Sequence, residues 1–343
     1  MARWFPSQPG RFLPRKSNSG LMINDSKPPA LILFGPTASG KTGILMELFN
    51  AAGGLQAEVV SADSMQVYRG MDIGTAKPSA TEQKRLPHHL IDIRDPSEQF
   101  NVGDFVRLAD EACLQIADRG KLPVVSGGTG FYLKNFIMGL SEAPPSSEEI
   151  RAALKQELRE KGAAALMEEL AAADPVSAER IHINDEYRLT RALEVFRSCG
   201  CPLSSFEVAA AEKRDCFRFI IVGISRPSEE LYRRINLRCQ EMFRRGLPAE
   251  VRSLYEAGYT PNDPGLRAIG YREFFVENFE RPGEWQLSRD IDGVQALAAQ
   301  NSRRYAKRQV TFFAGIPNVK WIECGKDEAQ TALLIKRILE ENV

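Results

Sequence analysis

Short apolar runs alternate with longer helical patterns through the first half of the chain. The most apolar run covers residues 31–34, and the runs at residues 58–63, 88–93 and 122–126 are also predicted to be short strands. The clearest helical pattern between them covers residues 100–119. Because strands that alternate with helices are typical of βαβ units, the pattern predicts an α/β fold with a doubly wound parallel sheet.

The pattern changes in the middle of the chain. A linker signature, PPSS, occupies residues 144–147, and helical patterns then continue to about residue 196. The apolar run at residues 217–224 is again typical of a buried strand, which indicates that the chain returns to the sheet. The predicted organisation is a disordered tail over residues 1–28, a core domain over residues 29–141 and 206–343, and an all-helical insertion over residues 142–205.

The segment after the first apolar run carries the strongest chemical signal. GPTASGKT matches G-x-x-x-x-G-K-[ST] at every fixed position, and it lies between a predicted strand and a predicted helix. Backbone N–H groups of such a loop bind phosphate, Lys41 adds a positive charge, and the Thr42 hydroxyl can hold Mg²⁺. The pattern predicts a polyphosphate or pyrophosphate site without identifying the bond that breaks. The predicted phosphate-binding residues are Gly35, Pro36, Thr37, Ala38, Ser39, Gly40, Lys41 and Thr42.

Further polar residues fall where predicted strands end. In an open α/β sheet the site lies at the carboxyl ends of the strands, so Asp63 is placed to face the phosphate loop, although it could equally be the N-cap of a helix that follows the strand. Thr129, in the segment SGGTGFY, is expected at the same edge. Arg234 and Arg238 share one face of a later helix at i and i+4, which suits the binding of a pyrophosphate.

Composition narrows the class of protein without naming a partner. Acidic and basic residues number 45 each, so net charge gives no nucleic-acid signal and any such partner must be inferred from local patches. Three regions have such a patch. The insertion carries arginines that suit phosphate contact. The segment at residues 265–272 and the basic helix at residues 302–309 also contain tyrosines among their basic residues, which suits base stacking as well.

The six cysteines form no C-x-x-C pair, so reduced cysteines are expected rather than disulfides or a zinc site. No apolar run approaches the length of a membrane span, and the basic N-terminal segment lacks the apolar core of a secretory signal. The composition therefore predicts a cytoplasmic protein with no membrane association.

Seven segments, in order along the chain, resemble the tRNA dimethylallyltransferase family, also called tRNA isopentenyltransferases. The resemblance covers about residues 29–315, and its most specific part is the stretch that follows the second predicted strand. The segments are GPTASGKT (35–42), SADSMQVYRGMDIGTAKP (61–78), HHLID (88–92), SGGTGFY (126–132), NDEYRLTRALEV (184–195), RAIGYRE (267–273) and AKRQ (306–309).

The resemblance implies a P-loop NTPase-like core with a helical insertion that contacts the anticodon stem-loop of tRNA. It implies Mg²⁺-dependent transfer of a dimethylallyl group from dimethylallyl diphosphate to the N6 amine of the adenosine 3′-adjacent to the anticodon, in tRNAs that read UNN codons. The products are N6-dimethylallyladenosine and diphosphate, and the target base is flipped out of its stack. The absence of a C-terminal zinc finger favours the bacterial type, and a monomer is expected.

The resemblance also implies roles for individual residues. Asp63 matches the acid that orients and deprotonates the amine, Lys41, Thr129 and Arg234 complete the expected catalytic set, and Thr42 is the expected metal ligand. Arg238 competes with Arg234 as the arginine that binds the diphosphate. The expected tRNA-binding residues are Asp63, Ser64, Met65, Gln66, Thr129, Arg151, Tyr187, Arg188, Leu189, Thr190, Arg191, Arg267, Ala268, Ile269, Gly270, Tyr271 and Arg272.

Two other classes of function share some of these features. A small-molecule or nucleoside kinase would use the same loop, Mg²⁺ and arginines with ATP, and an RNA-binding ATPase would hydrolyse ATP without modifying RNA. The kinase alternative explains neither the basic helical insertion nor the specific stretch at residues 63–78. An ATPase would need a water-activating residue, and the sequence has no separate second acidic motif for one.

Overall fold

A six-stranded parallel sheet forms the centre of the computed structural model, which describes residues 27–49, 55–144, 147–207, 216–325 and 327–342. Its strands are β1 (Pro29–Phe34), β2 (Ala57–Ser61), β3 (His88–His89), β4 (Leu122–Gly127), β5 (Arg218–Ser225) and β8 (Lys320–Glu323), and a separate antiparallel pair comprises β6 (Phe275–Glu277) and β7 (Trp285–Leu287). The strand order is β3–β2–β4–β1–β5–β8. Residues 1–26 of the predicted tail and residues 145–146 of the predicted linker lie outside the described residues.

Helices cover both faces of the sheet. They are α1 (Lys41–Leu48), α2 (Ala80–Arg85), α3 (Val102–Asp118), α4 (Gly130–Met138), α5 (Glu148–Ala173), α6 (Pro175–Arg180), α7 (Glu186–Cys199), α8 (Leu203–Glu207), α9 (Ser228–Arg244), α10 (Leu247–Glu256), α11 (Ile291–Phe313) and α12 (Glu328–Glu340). Side chains of β1 alternate between the two layers: Ile32 and Phe34 pack towards α3, α4 and α11, whereas Leu31 and Leu33 pack towards α1 and α12. The doubly wound parallel sheet is confirmed.

None of the described helices is both long and apolar enough to cross a bilayer.

The third predicted strand is much shorter than expected. Its apolar run covers residues 88–93, but β3 contains only His88 and His89. Leu90 and Asp92 have φ values of 62° and 57°, so the backbone turns instead of extending. The Lys77 ammonium pairs with Asp92, and this tertiary contact holds the turn in a conformation that local pattern does not indicate.

Helices α5–α8 form an all-helical insertion with its own apolar core. Leu154 and Leu166 of α5 pack against Leu189 and Leu193 of α7, and all four side chains are buried. Gly162 has a φ of 80° and interrupts α5 with a kink. Because this cluster is separate from the cores on the two faces of the sheet, the insertion does not depend on the sheet for its own apolar packing.

Close backbone approach brings two loops together at the carboxyl edge of the sheet. A Cβ on Gly127 would overlap the backbone of Ala62, so only glycine permits this packing of β4 beside the end of β2. The Ala62 N–H donates to the Ser126 carbonyl (2.8 Å), and the Thr129 N–H donates to the Ala62 carbonyl (3.1 Å). The segments that follow β2 and β4 are thereby fixed side by side.

Candidate active site

The phosphate loop connects β1 to α1 at the centre of the sheet. Gly40 has a φ of 98°, which a side chain would strain, and a Cβ on Gly35 would lie only 2.7 Å from the carbonyl oxygen of Ile224. Ala38 also has a positive φ, of 62°. A loop of this backbone form that leads into a helix N-terminus presents N–H groups to a bound phosphate.

Lys41, the first residue of α1, folds back over the loop. Its Nζ donates hydrogen bonds to the carbonyl oxygens of Gly35 (2.8 Å) and Pro36 (3.0 Å). Burial, and then the neighbouring charge of Arg238, lower the pKa of Lys41 to about 8, while the carboxylate of Asp63 offsets part of that effect. The loop itself contains no carboxylate, and Asp63 only partly offsets the positive charge of Lys41 and Arg238, which favours the binding of an anion.

Asp63 follows β2 and lies at the same edge of the sheet as the phosphate loop. Its Oδ1 accepts hydrogen bonds from the backbone N–H groups of Met65 (2.9 Å) and Gln66 (3.3 Å), which fix the orientation of the carboxylate. The next helix begins only at Ala80, so Asp63 caps a turn rather than a helix. Capping this turn and facing the site are therefore compatible, and Asp63 lines the cleft between the loops.

The loops that follow β1, β2 and β4 are joined by hydrogen bonds. Thr129 Oγ1 accepts from the Ser64 N–H (3.0 Å). Gln309 of α11 connects the other two loops: its Oε1 accepts from the Thr37 N–H (2.8 Å) and its Nε2 donates to the Gly128 carbonyl (2.7 Å). The glutamine of the AKRQ segment thus ties the phosphate loop to the SGGTG loop, which makes the edge of the sheet one connected unit.

A cleft of about 520 Å³ lies between these loops and the helices α9 and α11. Asp63 and the phosphate loop line it from the sheet, and Arg238 and Tyr305 line it from the helices. Burial, and then the charge of Asp63, raise the pKa of Tyr305 to about 12, so its phenol remains protonated at neutral pH. The cleft therefore combines a cationic end with a carboxylate and a neutral aromatic wall.

The two arginines on one face of α9 differ in their surroundings. Arg234 donates from Nε to the Ala38 carbonyl (2.9 Å) and from Nη2 to Glu328 (2.8 Å). Arg238 has no hydrogen bond or ion pair within the described part of the chain, and its charge acts on Lys41. Burial lowers the pKa of Arg238 from its usual value. Sequence spacing does not separate the two arginines, but the geometry favours Arg238 as the cation available to a ligand.

The predicted tRNA-binding stretch at the start of α7 is partly exposed. Tyr187 is 76% exposed, and Arg188 is exposed beside Asp185, with which it pairs at 3.4 Å. The Thr190 hydroxyl donates to the backbone of its own helix. Leu189 is fully buried in the core of the insertion, so its side chain cannot contact a ligand and it can contribute only through its backbone.

Two more predicted tRNA-binding arginines meet around a buried carboxylate in the insertion. Glu194 lies 3.2 Å from Arg191 and 3.6 Å from Arg151, and it accepts a hydrogen bond from the Ser147 N–H (2.7 Å). Arg191 also donates to the Pro144 carbonyl (2.6 Å). In this conformation both arginines therefore hold the linker that enters the insertion, which is a structural role that spacing alone does not reveal.

The second predicted tRNA-binding stretch, in the core domain, also contains both exposed and buried residues. Arg267 and Arg272 are exposed, whereas Ala268 and Tyr271 are buried. The Tyr271 hydroxyl donates to Glu250 (2.6 Å) and the side chain is fully buried, so the ring is not exposed to stack on a base in this structure. Its ring packs against Gly74, where a Cβ would collide with it, and so supports the segment after β2.

The remaining predicted residues lie close to the cleft or to that segment. Gln66 lines the cleft and donates from Nε2 to the Thr75 carbonyl (3.3 Å). Ser64 and Met65 belong to the turn that Asp63 caps. Ile269 and Gly270 lie between the exposed Arg267 and Arg272.

Two charged residues beside the phosphate loop were missed in the sequence. The side chain of Arg226 is 1% exposed and donates from Nε to the Ser39 carbonyl (2.8 Å). Arg226 directly follows β5, so the rule that singled out Asp63 at a strand end would have found it. Glu328 reaches the loop from the last helix, and no local pattern marks it.

The cleft offers oxygen ligands of the type that Mg²⁺ prefers. The Thr42 hydroxyl and the Asp63 carboxylate both line it. Within the described ranges, no cluster of three or more His, Cys, Asp or Glu side chains is arranged to hold a metal ion. These residues fit a magnesium ion that takes most of its ligands from phosphate oxygens and water, which is the usual mode for Mg²⁺.

Fold and loop together define a phosphate-loop α/β protein with a helical insertion. A family model described as IPP transferase matches residues 66–315. The tRNA dimethylallyltransferase of Geobacter sulfurreducens is 46% identical over 301 residues, which cover 87% of this chain and 93% of that protein.

Two solved structures resemble the whole molecule. The full-length tRNA isopentenylpyrophosphate transferase of Bacillus halodurans is 36% identical, with a TM-score of 0.61, and the match covers 92% of this chain and 98% of that one. The enzyme of Staphylococcus epidermidis named tRNA delta(2)-isopentenylpyrophosphate transferase is 34% identical, with a TM-score of 0.63 and coverage of 92% and 100%. The chain belongs to the IPP transferase family, the tRNA dimethylallyltransferases.

Proposed function

We propose that this prenyl-transferring enzyme moves a dimethylallyl group from dimethylallyl diphosphate to the N6 amine of the adenosine 3′-adjacent to the anticodon, in tRNAs reading UNN codons. The observation that carries the proposal is that one cleft holds a phosphate loop, two cations without an ion-pair partner among the described residues, and an oriented carboxylate. A diphosphate leaving group needs the cations, and an amine nucleophile needs the carboxylate. The enzyme acts as a monomer in the cytoplasm.

The phosphate loop binds the diphosphate, and Lys41 and Arg238 stabilise the charge that develops as it leaves. Arg238 is preferred to Arg234 because its guanidinium lines the cleft with no competing partner among the described residues. When the C–O bond of the prenyl donor breaks, both electrons of that bond go to the diphosphate. Buried donors that face this charge are worth far more than they are in water.

Asp63 accepts the proton of the attacking amine. As the N6–C1 bond forms, the nitrogen becomes positive, and its proton passes to Oδ2 of Asp63, which accepts no hydrogen bond from the described residues. Two backbone N–H groups already hold Oδ1, so the carboxylate needs no reorientation during the reaction. Thr129 supports this base indirectly, because it fixes the backbone at Ser64.

Mg²⁺ is the proposed cofactor, with Thr42 as its ligand from the protein. When bound, it supplies Lewis-acid neutralisation of the diphosphate oxygens. Lys41 and Arg238 remain responsible for orienting the diphosphate within the cleft.

The tRNA contacts the exposed members of the two predicted stretches. Tyr187 and Arg188 on the insertion, and Arg267 and Arg272 on the core, present a ring and three cations to solvent. Cations of this kind hold the phosphate backbone, while the flipped adenine enters the cleft beside Asp63 and Tyr305. Flipping costs a few kcal/mol of unstacking, which pocket and phosphate contacts offset.

The test is a transfer assay with two labels. Purified protein, Mg²⁺ and unmodified tRNA reading a UNN codon are incubated with radiolabelled dimethylallyl diphosphate, and a parallel reaction contains ATP labelled in its γ-phosphate. We expect label to enter tRNA from the prenyl donor only, and to be lost when guanosine replaces the target adenosine. Phosphoryl transfer or ATP hydrolysis without prenylation would instead support the kinase or ATPase alternatives.

Asp63→Asn tests the base in the same assay. We expect kcat to fall by about 10²- to 10⁴-fold with tRNA affinity retained, because the amide keeps the shape and the turn but cannot accept the proton. Asp118→Asn, on the exposed end of α3, removes the same charge far from the cleft and should leave kcat unchanged. Equal loss of tRNA binding and catalysis in Asp63→Asn would point to a structural role.

A further inference from the structure

The last helix supplies a carboxylate to the phosphate loop. Glu328 is the first residue of α12, beyond the residues 66–315 that the family model matches. Its carboxylate lines the cleft and packs so closely on the loop that a Cβ on Gly40 or Gly43 would overlap it. A negative charge at the edge of an anion-binding loop is unexpected, because it repels the ligand that the loop binds.

The carboxylate of Glu328 is held by arginines. Arg234 Nη2 donates to its Oε1 at 2.8 Å, and Arg226 Nη2 lies 3.5 Å from the same oxygen. Arg226 is anchored independently, since it also donates to the carbonyl oxygens of Ser39 (2.8 Å) and Gly325 (2.6 Å). Arg234 is only half-buried, and Glu328 is its sole partner that carries charge within the described ranges.

Carboxylate and phosphate oxygens accept hydrogen bonds from the same N–H edges of a guanidinium. Arg234 lies at the rim of the cleft, with Nε on the phosphate loop and Nη2 on Glu328. We propose that Glu328 competes with the diphosphate for Arg234 and thereby lowers the affinity of the site for diphosphate, as substrate and as product. This inference rests on the proposed function of the loop as a diphosphate site, and Glu328 acts in it through Arg234, as a positioning residue.

Such competition has a use in a reaction that releases diphosphate. The loop, Lys41 and Arg238 stabilise the leaving group, and the same contacts would retain it after the prenyl group has gone. Release of a tightly held product limits turnover in many enzymes. When diphosphate leaves, the carboxylate of Glu328 forms its ion pair with Arg234 again. This assists release without weakening the contacts that Arg238 and Lys41 make.

A purely structural role of Glu328 would have the opposite effect on diphosphate binding. If Glu328 served only to hold Arg234 or the loop in a binding conformation, its removal would weaken diphosphate binding. Removal is not expected to unfold the helix, because Asp327 caps α12 by accepting from the Ala329 N–H (2.9 Å). The sign of the change in affinity therefore separates competition from a purely structural role.

The experiment is calorimetric titration of inorganic pyrophosphate, with Mg²⁺, into the full chain. We expect Glu328→Gln to lower the Kd of pyrophosphate by about five- to tenfold, because Arg234 can then give its charge-assisted hydrogen bond to the ligand without a competing carboxylate. The Ki of pyrophosphate in the transfer assay should fall in parallel. Glu341→Gln, which removes a charge at the exposed far end of the same helix, should leave both constants unchanged.

Arg234→Ala completes a double-mutant cycle. If Glu328 acts through Arg234, most of the effect of Glu328→Gln should disappear in the Arg234→Ala background. An unchanged or higher Kd in Glu328→Gln overturns the competition, and so does an equal effect in both backgrounds. Binding of pyrophosphate by the unmodified chain in those cases leaves the proposed function intact, whereas no binding by the unmodified chain overturns both proposals.

Discussion

At the amino edge of the sheet Glu58 lies between three basic side chains, whereas at the carboxyl edge Lys41 and Arg238 have no carboxylate within ion-pair distance among the described residues. Glu58 is buried, and its charge is fully paired within the protein. At the carboxyl edge Glu328 pairs with Arg226 and Arg234, but the half-buried Lys41 and Arg238 are left without such a partner among the described residues. The comparison shows that the molecule pairs the buried charge of Glu58, and leaves cations without an ion-pair partner in the cleft that we propose to bind diphosphate.

The two edges also shift pKa values for opposite reasons. Burial alone would raise the pKa of Glu58, but hydrogen bonds from Lys121, His89 and Arg119 outweigh it and lower the pKa to about 2. At Lys41, burial dominates and the nearby charge of Arg238 adds to it, so the pKa falls to about 8. The charge of Glu58 is therefore stabilised by folding, whereas the charge of Lys41 is destabilised until an anion binds.

The largest effect is expected from Arg238→Ala at the carboxyl edge. We expect kcat/KM for dimethylallyl diphosphate to fall by about 10²- to 10³-fold, because a cation that faces the developing diphosphate charge is lost. The free energy of unfolding should remain unchanged or rise slightly, because a half-buried charge without an ion-pair partner among the described residues is removed. Transfer kinetics and urea unfolding measure the two quantities.

Arg234→Ala is the matched variant, one helical turn away on the same face of α9. It should reduce kcat/KM by no more than about tenfold, because Arg234 is partly neutralised by Glu328. A larger loss of kcat/KM in Arg234→Ala than in Arg238→Ala would identify Arg234 as the diphosphate-binding arginine. It would also contradict the contrast between paired and unpaired cations.

Glu58→Gln should have the opposite profile at the amino edge. We expect it to lower the free energy of unfolding by about 3 kcal/mol at pH 7, as the fall in the pKa of Glu58 to about 2 implies, with kcat/KM unchanged. Glu111→Gln is the control, because Glu111 forms an exposed pair with Arg107 and its loss should cost under about 0.5 kcal/mol. Urea denaturation measures both.

The pH dependence of this difference has a defined sign. The pKa of Glu58 is lower in the folded state, so its contribution is present above the unfolded pKa of about 4.5 and is lost as pH falls towards 2. The stability difference between the protein and Glu58→Gln should therefore shrink across that range. A difference that stays constant from pH 7 to pH 3 would contradict the assignment of stability to this cluster.

The smallest effect is a proton taken up at Lys41. With a pKa of about 8 in the free protein, most of Lys41 is neutral at pH 9, and a bound diphosphate restores its charge. We expect pyrophosphate binding at pH 9 to be accompanied by uptake of more than half a proton at this group, and by almost none at pH 6.5. Titration in buffers of different ionisation enthalpy measures the uptake.

Lys41→Arg provides the background for this measurement, because an arginine stays charged at both pH values. Uptake that is identical in Lys41→Arg would assign the proton to pyrophosphate or another group. The same shift makes the ligand-free protein more stable as pH rises from about 8 to 10.5, since the unfolded state binds the lysine proton more tightly.

Local sequence determined the central strands and the phosphate loop, because each depends on a short stretch of chain. The apolar runs predicted β1, β2, β4 and β5, and GPTASGKT predicted the loop, because strand alternation and the φ demands of Gly40 are properties of a few neighbouring residues. Family-specific segments added the chemistry. The position of Asp63 followed from one topological rule, that parallel strands present their ends at one edge.

Only the tertiary structure decided which side chains meet. Tyr271 and Leu189 lie within the two segments predicted to contact tRNA, yet both are buried, because burial depends on elements distant in sequence. Spacing left Arg234 and Arg238 equivalent, and the difference arises because α12 brings Glu328 to one of them and not to the other. Charge pairing across 94 residues of chain has no local signature, so the electrostatic character of the site is a property of the folded molecule alone.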